Sequence, residues 1–389
     1  MGRKIKDNSR ENKKHMNKEY ENKIAIFSPF LNPVGVKRAT FGLSKKFSEN
    51  GYDINLLSVH KEWDNLKLNK NMKLIRLSTN FKNFPTTGYL AFRITSLIIS
   101  LRTIFTLSRY IKANKPKILF VSMMPFVAWL AIKLSRKNIK LVISIQGYPR
   151  NNLFRRITWK KVFGDADKVI TESKSLMKLI HQLTNAEENL KYIYNPHFEN
   201  QDEFRAIRES VKESNNYILG LGRLTKQKNF KLLIHAFEKL KNRDDLKLII
   251  VGDGEEKNSL EKISNDLGLK SKIIFTGQLK NPLNYIKNAK MLIIPSLWEG
   301  LPRVAIEAQA LKTPIISSCN EGGLGEILIN GEAGQLVLKN DINDLAKAIN
   351  RYLDDEKLAS SHAEEAFKNI NRFSLESSSN EYLKVFSEI

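Results

Sequence analysis

A short apolar run, a turn and a helix-length amphipathic stretch follow one another repeatedly along this chain, and that alternation leaves few folds open. Continuous apolar runs of this length suit strands buried on both faces, and strands that alternate with helices form parallel sheets through right-handed crossovers. The series begins with IAIFSPF (24–30), a loop holding Gly35, and a helical stretch from Arg38 to Phe47 that Asn50-Gly51 stops. INLLSV (54–59), ILFVSM (118–123), LVISI (141–145) and VITES (169–173) read as further strands, with helices at 125–135 and 175–183. Asn195-Pro196 breaks the rhythm, and the polar stretch from His197 to Asn216 reads as a linker. The alternation then restarts with YILGLG (217–222), LKLIIVGDG (246–254), IIFTG (273–277), MLIIPS (291–296) and TPIISS (313–318), with helices at 230–240, 257–267 and 303–311.

Two doubly wound α/β domains of similar size are therefore expected, in keeping with a length of 389 residues. The divisions are a disordered basic tail over 1–22, a first Rossmann-like domain over 23–198, a second over 199–373, and a helix over 374–389 that packs back on the first domain. Open α/β sheets bind ligands beyond the carboxyl ends of their strands, so the cleft between the domains is the expected site.

Charge and cysteine usage narrow the function classes. The excess of 64 Lys+Arg over 41 Asp+Glu gives +23 at pH 7, a field that attracts phosphates, nucleic acid or an anionic membrane face. The single cysteine, Cys319, excludes an intramolecular disulfide, and no CxxC or Cys/His cluster suggests zinc. The first 23 residues hold no apolar stretch of the kind a secretory signal needs, so a cytoplasmic protein is expected. Tyr89 to Ile111 resembles a membrane segment, but Arg93, Arg102 and Arg109 interrupt it. Two readings of it stand: an amphipathic helix lying on an anionic membrane, or a crossover helix that places Leu97, Ile98 and Leu101 in the core.

The densest chemical signal is PSLWEGLPRVAIEAQALKTPIISS (295–318). A strand ends near Ser296, Gly300 lets backbone approach a ligand, Pro302 is pre-set for a first helical turn, and the amides of that turn form an anion site. Glu299 lies on the loop and Glu307 roughly 10 Å further along the helix at 1.5 Å per residue. Such a pair is too widely spaced for the nucleophile and acid of a retaining glycosidase, which need about 5.5 Å. It suits two grips on one long ligand; the spacing alone also fits ordinary surface carboxylates.

Glu299-Gly300-Leu301-Pro302 through Glu307 resembles the E-x7-E signature of the retaining glycosyltransferases of family 4, which have the two-domain GT-B fold. Three further matches fall in the same order: Gly222-Arg223-Leu224 with Lys228-Asn229, then Val251-Gly252-Asp253-Gly254, then Gly322-Gly323 with Glu326. The resemblance covers Ile24 to the C-terminus and is strongest from Tyr217 to Val337. It implies that Arg223 and Lys228 contact the donor diphosphate, that Gly252 and Gly254 lie beside the nucleotide, that Glu307 binds ribose hydroxyls, and that Glu299, with Gly300, Leu301 and Pro302, receives the sugar or its phosphate. Read physically, two permanent cations beside a helix start are what a departing diphosphate requires, although solvated surface cations read the same way. Gly35 holds the place of the first-domain glycine loop, where many relatives carry paired glycines.

Relatives often carry a histidine just after the strand equivalent to Val142–Ile145, and this chain has Gln146 there. Glutamine donates and accepts hydrogen bonds but takes no proton, so the transfer is expected to run without a general base at that position, the leaving phosphate accepting the acceptor's proton. Gln146 then orients a sugar hydroxyl or the acceptor, or merely caps the strand. Asp165-Ala166-Asp167 spells a metal-binding DxD but precedes a strand and reads as a turn. Neither a metal nor a cofactor is expected, the nucleotide-sugar being a substrate.

By resemblance the donor is a nucleotide-diphosphate sugar, UDP-sugar first, the group transferred a hexose or N-acetylhexosamine, and the acceptor a lipid-linked saccharide at the inner face of the plasma membrane. A sugar-nucleotide epimerase on the same fold is the nearest rival. A nucleic-acid-binding protein lacks support beyond the charge, and neither glycine turn carries a full nicotinamide-dinucleotide fingerprint.

Overall fold

In the computed structural model, residues 22–29, 34–59, 62–77, 89–147, 153–184, 186–210, 216–240, 243–319 and 322–389 are described, except for the side chains of 34, 35, 89–97, 153 and 154. The expected tail up to residue 21 lies outside them. The chain forms two compact units, the first of residues 1–172, 177–196 and 378–389, the second of 173–176 and 197–377.

The first unit holds a seven-stranded, wholly parallel sheet: β1 (Lys23–Phe27), β2 (Asp53–Ser58), β3 (Met72–Arg76), β4 (Ile118–Val121), β5 (Lys140–Ile145), β6 (Lys168–Thr171) and β7 (Leu190–Tyr192), in the order β3-β2-β1-β4-β5-β6-β7. Ile24 to Phe27 and Ile118 to Val121 are fully buried, which is why their codes are unbroken apolar runs. Helix Val34–Glu49 and the C-terminal residues cover one face through Phe47, Phe120, Tyr382 and Phe386; the Phe47 and Phe386 rings stand edge to face at 4.9 Å. Tyr382 also bonds Ser144 at the end of β5, 3.0 Å from oxygen to oxygen.

The second unit holds six parallel strands: β8 (Tyr217–Leu221), β9 (Lys247–Val251), β10 (Ile273–Gly277), β11 (Leu292–Ile294), β12 (Ile315–Ser317) and β13 (Gln335–Leu336), ordered β10-β9-β8-β11-β12-β13. Its core joins Ile218, Leu248, Ile250 and Ile293 of the strands to Phe230, Leu233 and Phe237 of helix Phe230–Glu238. In this order the connections reverse direction at β8, which makes the carboxyl ends of the strands around it the expected place for a ligand.

Three readings are corrected. Gly35 is not in a loop, because helix Val34–Glu49 has already begun; the amides of a first turn have no helical partner, so glycine costs little there. The stretch from His197 to Asn216 is no free linker: it contains helix Asp202–Glu209, anchored by buried Phe204, and Phe198 bridges to Ser374. Leu101 is not core. In helix Tyr89–Asn114 the buried side is Ile104, Leu107, Tyr110 and Ile111, while Leu101 is 51% exposed. Ile98 is half-buried, and the side chain of Leu97 lies outside the described ones. No helix among the described residues is long and apolar enough to cross a membrane.

Candidate functional site

The crevice at the carboxyl ends of β8, β9 and β10 is built from three loops laced by their own backbones. Gly222 N–H donates to Val251 O at 3.0 Å, Leu224 N–H to Asp253 O at 2.9 Å, Glu256 N–H to Leu224 O at 3.0 Å, and Gly252 N–H to Gly277 O at 2.9 Å. Gly252 is indispensable to this lacing. Its φ is +147°, and a Cβ there would stand 1.9 Å from the carbonyl oxygen of Gly222. Gly254 similarly abuts Leu224, its absent Cβ 2.3 Å from that carbonyl. The result is a cavity of about 310 Å³ lined by Leu221, Gly222, Arg223, Val251, Gly252 and Asp253, with Gln278 and Leu279. Arg223 is exposed at its rim and makes no ion pair with a described residue.

The loop after β11 is tied to the turn that follows β8. Leu297 N–H donates to Gln227 O at 2.8 Å, and the Gln227 amide donates to Trp298 O at 2.9 Å. This brings Lys228 to Glu299: Nζ lies 2.6 Å from a carboxylate oxygen that also accepts from Ser296 Oγ at 2.5 Å. Glu299 is 6% exposed, so its charge requires these partners. An ammonium has three donors; one engaged by Glu299 leaves two for phosphate oxygens.

Glu299 pairs by backbone with Gly322, and Gly323 N–H donates to Gly300 O at 2.9 Å. A Cβ on Gly323 would stand 2.2 Å from that oxygen, so the paired glycines are what let the two loops touch. Leu301 and Pro302 are buried beneath the start of helix Arg303–Ala310, where Arg303 Nε donates to Glu307 at 2.7 Å across one turn. Glu326 accepts from Ser175 N–H and Oγ, each at 2.7 Å, and so acts as an anchor for the segment 173–176 within this unit.

The structure thus gathers Gly222, Arg223, Gly252 and Gly254 at one crevice, places Lys228 against Glu299 on the adjoining loop, and sets Gly300, Leu301 and Pro302 at the next helix start with Glu307 one turn inside that helix. Gly35 and Gln146 belong to the other unit. Sequence reasoning missed Gln278 and Leu279, whose one signal is position after the end of β10, and the supports Ser296 and Arg303.

In the first unit Gln146 follows β5, with both polar atoms of its amide shielded from solvent and bonded to no described residue. Glu172, at the neighbouring end of β6, accepts from Gly147 N–H at 2.8 Å and from the Asn195 amide at 3.4 Å. Burial pushes its carboxyl up to about 7, against the lowering effect of those two donors. Nothing in the local sequence marks Glu172, since only the β5–β6 register brings it to Gly147. Asp165 is engaged by Trp129 at 2.9 Å and Lys133 at 3.0 Å, and Asp167 by Lys140 and Leu141 N–H, in keeping with a structural turn. Among the described residues no three His, Cys, Asp or Glu side chains cluster as metal ligands would.

Residues 33–197 match the family model described as Glycosyltransferase Family 4, and residues 201–369 the model described as Glycosyl transferases group 1. The chain is 27% identical over 217 residues to a Campylobacter jejuni N-acetylgalactosamine-N,N'-diacetylbacillosaminyl-diphospho-undecaprenol 4-alpha-N-acetylgalactosaminyltransferase, spanning 56% of this chain and 59% of that protein. A second C. jejuni protein, an alpha-1,4-N-acetyl-D-galactosaminyltransferase named for a diphospho-undecaprenol-linked acceptor, is 27% identical over 382 residues, 94% of this chain and 99% of its own. Anabaena HepE, solved in complex with UDP, superposes with a TM-score of 0.72 at 18% identity, over 94% of this chain and all of its own, which shows a shared fold.

Proposed function

The chain belongs to the family 4 glycosyltransferases, matched by family models over both halves, and on that premise we propose that it moves a hexose or N-acetylhexosamine from a UDP-sugar to a lipid-linked saccharide, with retention, in the assembly of a polysaccharide or glycolipid. The observation that carries this reading is the cavity beyond the ends of β8, β9 and β10 with Arg223 on its lining, and beside it the Lys228–Glu299 pair formed where the loop after β11 is tied to the turn after β8. The nucleotide lies in the glycine-lined cavity and the diphosphate faces Arg223 and the two spare donors of Lys228. Glu299 receives the sugar or its phosphate, and Glu307 the ribose hydroxyls.

As the bond between the anomeric carbon and phosphate oxygen breaks, charge grows on the diphosphate. Arg223, Lys228 and the amides at the start of helix Arg303–Ala310 stabilise that charge, taking the part that a divalent cation takes elsewhere. The acceptor oxygen bonds to the anomeric carbon from the same face and its proton passes to the leaving phosphate oxygen. No side-chain base is then required, which agrees with glutamine at position 146. The UDP complex of HepE and the undecaprenol named in both C. jejuni relatives support the donor and acceptor classes. An acceptor of that kind keeps to the bilayer, so the reading includes a peripheral position at the cytoplasmic face of the plasma membrane.

The test is binding of UDP-, GDP- and ADP-sugars with EDTA present, followed by nucleotide release on addition of lipid-linked acceptors. The expected result is binding of one UDP-sugar, weakened at least about tenfold by Arg223→Ala and by Glu307→Ala, as loss of one charged hydrogen bond predicts. Binding that disappears with EDTA would overturn the metal-free reading, and free altered sugar released without acceptor would mark an epimerase.

A further inference from the structure

Buried polar atoms without a partner are rare in folded chains, and each one calls for a physical reason. In the first unit two such side chains lie past the carboxyl ends of strands: Ser28, fully buried after β1, and Gln146, whose amide oxygen and nitrogen are both shielded after β5. That end of a parallel sheet is where ligands bind. An amide can donate twice and accept twice, so an unpaired Gln146 weakens the fold until a ligand supplies the missing bonds. The residue as a whole is half-buried, so a turn of its side-chain torsions lets the amide meet an arriving hydroxyl.

What holds this amide comes from the neighbouring strand. Glu172, which follows the Ile145–Thr171 pair of the β5–β6 register, bonds to the residue on either side of Gln146: Glu172 N–H donates to Ile145 O at 3.3 Å, and Gly147 N–H donates to the Glu172 carboxylate at 2.8 Å. Gly147 stands at φ +92°, a left-handed conformation that turns the chain sharply at the strand end. The other carboxylate oxygen accepts from the Asn195 amide at 3.4 Å, so the segment after β7 steadies Glu172 while Glu172 steadies the turn. Glu172 and Asn195 are both buried, which leaves Gln146 as the member of the set that can meet a ligand. We propose that Glu172 is a positioning residue of the transfer, acting through Gln146: it pins the turn after β5 so that the amide meets one hydroxyl of the substrate in a single orientation. Bonds to both neighbours of one unpaired amide are the pattern of a support for that amide. The inference deepens the proposed function and rests on it, because the hydroxyl belongs to the sugar or to its acceptor.

The experiment is a double-mutant cycle on the full chain, with turnover read as UDP release from a UDP-sugar on addition of lipid-linked acceptors, and with melting and UDP binding followed on the same samples. Gln146→Ala and Glu172→Ala should each lower kcat about tenfold, the scale of one hydrogen bond, while the Kd for UDP stays as in wild type. Because one residue acts through the other, the double variant should turn over no more slowly than Gln146→Ala alone. Glu172→Gln keeps an acceptor for Gly147 N–H and should recover most of the loss. Additive losses, a Glu172→Ala enzyme as fast as wild type, or a Glu172→Gln enzyme as slow as Glu172→Ala overturns the proposal. Should Glu172→Ala not fold, Glu172→Thr, whose hydroxyl sits two bonds nearer the backbone and falls short of Gly147, takes its place in the cycle. A wild type that binds no UDP, or transfers to no acceptor, overturns the transfer reading and this inference with it; transfer with additive losses overturns this inference alone.

Discussion

Replacing Glu172 by glutamine tests whether the end of β6 is as dry as it looks. The carboxyl is held by Gly147 N–H and the Asn195 amide, and burial raises it to about 7 from an ordinary 4.5. Because the folded value is the higher one, the folded state binds the extra proton between those limits. Its contribution is fully present below about pH 4.5 and lost as pH rises through 7. A difference of that size, at about 1.4 kcal/mol per unit, is on the order of 3 kcal/mol. Glutamine keeps the bond from Gly147, and Asn195 can turn its amide to present oxygen instead of nitrogen, so the variant loses the titration and little else. Melting of the two proteins should nearly coincide at pH 4.5 and diverge above pH 7, where Glu172→Gln is the more stable. For a unit of this size the gap corresponds to roughly 6–12 °C. A gap that is the same at both pH values would refute the reasoning, as would a variant less stable than wild type at pH 8.

Two further substitutions address the second unit. Gly252→Ala should cost about 2 kcal/mol or more and weaken donor binding, because its Cβ meets the Gly222 carbonyl at 1.9 Å; Gly268→Ala, with φ +72° and open space, should cost only about 1 kcal/mol, and urea unfolding distinguishes them. Lys228→Ala leaves a buried carboxylate without its cation and should destabilise the unit by about 3 kcal/mol, whereas Lys228→Met combined with Glu299→Gln should recover most of that stability but not transfer. Recovery of turnover in the double variant would remove Lys228 and Glu299 from the reaction.

The alternation of buried runs and helices was legible because a strand covered on both faces has no polar side, and Ile24–Phe27 or Leu292–Ile294 admit little else. β3 and β7 were not legible. They are edge strands with mixed, half-exposed residues, MKLIR and LKY, whose only reason to be strands is a neighbour already in place. Helix Asp202–Glu209 hid in a polar stretch because a single buried residue, Phe204, is all that anchors it.

The order of residues along the chain was enough to name the parallel α/β class, which depends on periodicity, while Arg223, Lys228, Glu299 and Glu307 stood out through their resemblance to the family's motifs, since their spacing alone also fits surface groups. Only tertiary structure could decide what those residues touch. Lys228 and Glu299 are 71 positions apart, Glu172 and Gly147 are 25, and Gly252 presses on Gly222 across two adjacent strands. Such contacts are set by strand order and register, which emerge from the packing of the whole unit and from no window of sequence. The exposure of Leu101 is of the same kind: an apolar residue on a helix reads as core until the neighbouring helices show which side they cover.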